Sequence, residues 1–118
     1  MGTRLTGKVA IATGSGQGIG RAIAIAFARE GAAVAIATRT AAHGEETLRL
    51  IEAEGGKVIF RQVDIADHEA TRAVVGEAAA VFGRLDILVH NAAAFGRCTI
   101  EEMDHGTLDR LFNINVKA

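Results

Sequence analysis

The chain has 118 residues, is 49% apolar and carries a formal net charge of −1, with five Phe, no Tyr, no Trp and a single cysteine. A near-neutral chain has no bulk attraction for nucleic acid or anionic membrane, and one cysteine excludes an internal disulfide and fits a reducing, cytoplasmic setting. No window approaches the ~20 apolar residues of a membrane span, and the start does not read as a signal peptide. The length suits one domain, and the Ala, Ile, Val and Leu content suits a parallel sheet covered by helices on both faces.

Residues 8–13 (KVAIAT) predict a buried first strand stopped by Gly14. A helix follows over 18–30, with Ile19, Ile23, Ala26 and Phe27 as its apolar stripe and Gly31 as its C-cap. The second strand is 33–37 (AVAIA), and the second helix is 45–54, carrying Leu48 and Ile51. After the Gly55–Gly56 pair comes a third strand, 57–63 (KVIFRQV). A third helix over 68–82 has Asp67 as N-cap and Val74, Val75, Ala78, Val81 and Phe82 at helical spacing. Residues 85–90 (LDILVH) predict a fourth strand. Thr99 and Glu102 have the spacing of a capping box, and a last helix capped at Asp104 begins near Leu108 and runs to the end. There Leu108, Leu111, Phe112 and Asn115 follow i, i+3, i+4, i+7, which places the Asn115 amide on the apolar face.

The alternation βαβαβαβα predicts an α/β, Rossmann-type doubly wound parallel sheet, incomplete, with about four strands in the order 3-2-1-4 and helices on both faces. The strongest local signal is TGSGQGIG at 13–20, leaving the first strand and opening the first helix. A turn there brings backbone N–H groups against a pyrophosphate at the positive end of a helix. Its spacing is T-G-x-x-x-G-x-G; a G-x-G-x-x-G register fails because the sixth place from Gly14 is Ile19. Gly14 permits the tight turn, Gly18 leaves room for the ligand, and Gly20 lets helix and sheet approach.

TGSGQGIG, the VDI at 63–65, Asn91-Ala92-Ala93 and Asn115 in INVKA stand in the order found in the short-chain dehydrogenase/reductase family, which the whole chain resembles. The resemblance implies cofactor contacts from Gly14, Ser15, Gln17, Gly18, Ile19 and Gly20, from Thr38 and Arg39, from Asp64 and Ile65, and from Asn91, Ala92 and Ala93. Asp64 would bind the adenine amino group; taken as a lone residue the better reading is the start of a turn, and the motif order is what favours adenine. Asn91 would brace the strand end beside the cofactor, or serve only as a turn residue, and Ala93 departs from the family's usual Gly. Asn115 would be catalytic, distorting its helix and holding a water that relays protons; the plainer reading is a structural hydrogen bond to a neighbouring loop.

At the end of the second strand the sequence is Ala37-Thr38-Arg39, where an acid would bind the ribose hydroxyls of NAD. The missing acid and the Arg39 fork favour NADP, with NAD possible; the alternative is a solvated surface arginine. His43, His68, His90 and His105 have no metal-ligand spacing, and Cys98 has no activating neighbour, so no metal site is expected. The resemblance also implies a Ser, a Tyr and a Lys four residues after it, and the chain has no Tyr. Residues 1–118 therefore read as a dinucleotide-binding half-domain cut before the Tyr-x-x-x-Lys segment. The implied whole is an oxidoreductase moving hydride between a nicotinamide cofactor and a small carbonyl or alcohol substrate, working as a homo-oligomer (dimer or tetramer). The alternative is a non-catalytic nucleotide-binding or interaction module.

Overall fold

A computed structural model describes residues 2–94 and 99–117. In chain order it contains β1 (Val9–Thr13), α1 (Gly18–Arg29), β2 (Ala33–Thr38), α2 (Ala41–Ala53), β3 (Val58–Gln62), α3 (His68–Phe82), β4 (Ile87–Val89) and α4 (His105–Phe112), the last continuing into a π-helical turn, Asn113–Lys117. The four strands form one parallel sheet in the order β3-β2-β1-β4, as the alternation predicts. β1 and β2 are central, buried over almost their whole length, and have no polar alternation, the mark of strands covered on both faces.

Successive side chains of β2 divide the core in two. Val34 and Ile36 join Ala24 and Ala28 of α1 and Ile51 of α2 on one face. Ala35 and Ala37 turn to the other face, against Ala78 and Val74 of α3 respectively. The fully buried ridge of α1 is Gly20, Ala24 and Ala28; of the expected Ile19, Ile23, Ala26, Phe27 stripe, Phe27 packs against the core, while Ile19 is 74% exposed and Ala26 faces solvent. Small residues at i, i+4, i+8 let the helix sit close on the sheet, so size rather than hydropathy selects the buried face. On α3, Val74 and Ala78 are buried, whereas Val75 and Val81 are exposed.

Three elements have a boundary more than one residue from the sequence expectation. α2 starts at Ala41 rather than 45 because its first turn, including Gly44, lies on the Phe60 ring, where any Cβ would collide; packing here overrides the low helix propensity of glycine. β4 is limited to three residues: before it the Asp86 carboxylate takes the Val9 N–H at 2.9 Å in place of a backbone carbonyl, while the Asp86 N–H still donates to the Val9 carbonyl at 2.9 Å. α4 begins directly after its cap, Asp104, which accepts the Thr107 N–H at 2.6 Å. Thr99 and Glu102 form the expected reciprocal capping pair, at 3.2 and 3.3 Å.

The inward face of the last helical segment also differs. Leu111 and Ile114 pack with Ile65 and Ala94, whereas Leu108 and Phe112 are 40% and 53% exposed and Asn115 lies on the exposed side. From Asn113 onward the widened π-helical turn departs from the 3.6-residue register on which the expected place of Asn115 depends.

Candidate functional site

β1 and β4 are parallel neighbours although β2 and β3 lie on the far side of β1, so the order of strand addition reverses at β1. Open α/β sheets leave a crevice at such a switch point, beyond the carboxyl ends of the strands. A cleft of about 420 Å³ lies there, lined by the glycine turn (Gly14, Gln17, Ile19, Gly20), the end of β2 (Thr38, Arg39) and the segment after β3 (Asp64, Ile65). Asn91, Ala92 and Ala93 line its β4 side. Eleven of the thirteen expected cofactor contacts thus surround one space; Ser15 and Gly18 do not line it.

The glycine turn is fixed by steric need. Gly14 has φ +63°, and a Cβ there would stand 2.8 Å from the Ala92 Cα. A Cβ on Gly20 would run into the Gly14 carbonyl, so the start of α1 is pressed against the turn itself. Gly18 has φ +58° and open space where a side chain would go, consistent with room for a ligand above it. Ser15 is buried, and its hydroxyl donates to the Ala12 carbonyl at 2.7 Å, an internal role. Gln17 stands at the N-cap of α1 without a side-chain capping bond, leaving the first N–H groups of that helix without that partner.

The β4 side is braced by Thr13. Its hydroxyl accepts the Asn91 and Ala92 N–H groups, each at 3.0 Å. The Asn91 amide in turn donates to the Thr13 and Gly14 carbonyls, both at 3.2 Å. Ala93 needs no special backbone: no non-glycine residue among those described has positive φ. Asp64 accepts the Ala66 N–H at 3.0 Å, so one carboxylate oxygen serves a turn while the residue borders the cleft. Arg39 is exposed and, among the described residues, makes no ion pair; Thr38 and Thr40 flank it, with no acid at this strand end.

Asn115 lies outside the lining. Its amide forms a two-way pair with the Ala94 backbone, accepting the N–H at 2.9 Å and donating to the carbonyl at 2.8 Å. The helix distortion implied by the resemblance is present, in the π-helical turn that contains Asn115. Sequence reasoning missed Thr40, His43, Val63, Ala94, Arg110 and Ile114, all of which line the cleft. Arg110 and Ile114 were detectable, since i, i+4 on the last helix puts them on one face. No cluster of three metal-ligating side chains exists among the described residues, and Cys98 lies outside them.

A sequence profile described as short chain dehydrogenase matches residues 8–118. The chain belongs to the short-chain dehydrogenase family. An uncharacterized oxidoreductase of Methylorubrum extorquens is 40% identical over 115 residues, covering 97% of this chain and 46% of its own length. An uncharacterized NAD-dependent oxidoreductase of Mycobacterium tuberculosis is 35% identical, covering 98% and 46%. Among solved structures, a short-chain dehydrogenase from Burkholderia cenocepacia in complex with NADP superposes with a TM-score of 0.93 at 41% identity, over 97% of this chain and 47% of that one. The chain spans about half the length of the short-chain dehydrogenases it matches.

Proposed function

We propose that residues 1–118 are the cofactor-binding half of an NADP(H)-preferring short-chain dehydrogenase/reductase that moves hydride between the nicotinamide and an alcohol or ketone. The observation that carries this is the switch-point cleft, where the glycine turn and the start of α1 face an Arg39 that no acid neutralises. The pyrophosphate would rest on the turn, the adenine beside Asp64 and Ile65, and the 2′-phosphate on Arg39, with Thr38 at the ribose. Asn91, Ala92 and Ala93 would hold the cleft's β4 wall. The bound cofactor supplies or accepts the hydride.

Asn115 is proposed as catalytic through its place in the π-helical turn. Its side chain is engaged with Ala94, which locks the loop after β4 to the last helix beside the cleft. A relay water would then depend on a backbone that this amide holds in place. The 118 residues alone are proposed to be inactive, because no Tyr is present to exchange a proton with the substrate oxygen. A homo-oligomer and a cytoplasmic setting complete the reading; the exposed Leu108, Phe112 and Val116 support the first and the single cysteine the second. Among the described residues, no helix is long and apolar enough to cross a membrane.

Calorimetric titration of the full-length protein with NADPH and NADH tests the proposal. Tighter binding of NADPH is expected, and failure to bind either would overturn it.

A further inference from the structure

Behind the glycine turn, two side chains that do not line the cleft converge on its carbonyls. Thr47 of α2 is fully buried, and its hydroxyl has the Ser15 carbonyl at 3.0 Å and the Gly16 and His43 carbonyls at 3.2 Å. Arg21 of α1 donates from Nε to that hydroxyl at 2.9 Å and from Nη2 to the Gly16 carbonyl at 2.5 Å, with the His43 carbonyl at 3.4 Å. All these partners are neutral oxygens. Among the described residues no carboxylate forms a salt bridge with Arg21; Glu46 is close enough to feel its charge but is hydrogen-bonded to Arg49 at 2.6 Å.

The consequence follows from peptide geometry. In a trans peptide the C=O and the next N–H point in opposite directions, and the structure has no cis bonds among the described residues. Drawing the Ser15 and Gly16 carbonyls back toward Thr47 and Arg21 turns the Gly16 and Gln17 N–H groups the other way. Gln17 is on the cleft.

We propose that Arg21, seated on Thr47, is a positioning residue for the diphosphate of the cofactor: it aims the turn's N–H groups and puts behind them a positive charge that no salt bridge holds. This rests on the cofactor reading above and assigns a residue to the diphosphate alone, independent of the 2′-phosphate.

The test uses the full-length protein and three probes: NADPH, ADP-ribose, which keeps the diphosphate, and adenosine 2′-monophosphate, which lacks it. Arg21→Met is expected to weaken NADPH and ADP-ribose by about ten-fold each, the size of one lost charge-assisted interaction. Adenosine 2′-monophosphate should change by less than about two-fold. Arg21→Lys keeps the charge without the fork and should recover part of the loss; it also serves as the test should Arg21→Met fail to fold. Equal weakening of all three probes, or ADP-ribose affinity unchanged in folded Arg21→Met or Arg21→Lys, would overturn the proposal while leaving the cofactor reading intact. Failure of the unmodified protein to bind any probe would instead remove the cofactor reading, and this proposal with it.

Discussion

At Gly20 a single added methyl group would occupy the space of the Gly14 carbonyl. The obstacle is backbone, which cannot swing aside as a flexible side chain does. Gly20→Ala is therefore expected to cost about 1–3 kcal/mol, the range for overpacking, and to show as a lower urea midpoint with an unchanged slope. Wild-type stability would mean that the turn yields more readily than its packing implies. Arg39 is the opposite kind of residue, exposed and unpaired, so its loss should leave folding alone. Arg39→Leu is expected to lose about 1–3 kcal/mol of NADP(H) binding, as for a charge-assisted hydrogen bond, with little effect on NAD(H). Equal losses for both cofactors in a titration would count against a 2′-phosphate role. Asn115 shows where residue-level reading falls short. Spacing puts it on an apolar face, yet it is exposed and bound to the Ala94 backbone. A side-chain-to-backbone pair across 21 residues leaves no trace in periodicity. On the proposed function, Asn115→Leu in the full-length protein should lower turnover by about 100-fold or more while cofactor affinity changes little, as for loss of proton-transfer assistance. Normal turnover in a folded variant would reject the relay.

Between elements, the pairing of β1 with β4 depends on Asp86 as much as on the ladder. Its carboxylate is held below the ordinary carboxylate range, first by the hydrogen bond from Arg84 and next by the Val9 N–H. A carboxyl whose folded value is depressed stabilises the fold above its unfolded value, about 3.9, and that contribution is lost as pH falls through the folded value. The acid limb of stability should therefore steepen below about pH 4, and Asp86→Asn should flatten it. Urea midpoints of both proteins between pH 7 and pH 3 provide the check; parallel curves would show that Asp86 contributes no pH dependence. Element type and order were legible because each strand is a short apolar run closed by glycine or a polar turn, and Asp67 and Gly83 punctuate α3 at both ends. Element ends were less legible wherever a distant side chain set them. Phe60 lets α2 start early, and the Asp86 carboxylate stands in for a backbone carbonyl before β4. The π-helical turn was beyond periodicity, since an inserted residue mimics an ordinary helix in sequence.

For the molecule as a whole, the glycine turn and strand ends announced the cleft, but its far wall did not announce itself. Arg110 and Ile114 come from an element distant in sequence and reach the cleft only through the loop after β4. The same arrangement leaves one side of the sheet with little cover. β4 has three residues and among the described residues pairs with β1 alone, and Leu88 at its centre is 61% exposed. Val75 of α3 stands beside it around a small apolar hollow, and Phe112 and Val116 are exposed on the last helical segment. An unpaired strand edge next to exposed apolar side chains is a template for association. The 118-residue polypeptide, prepared alone, is therefore expected to self-associate, its sedimentation mass rising with concentration. Leu88→Lys places a charge on that edge without disturbing the buried β1–β2 centre, so it should reduce association and keep the melting temperature within a few degrees. A polypeptide that sediments as a monomer at every concentration would show that the β4 edge is protected by the chain itself. Association undiminished by Leu88→Lys would move the contact to the exposed face of the last helix.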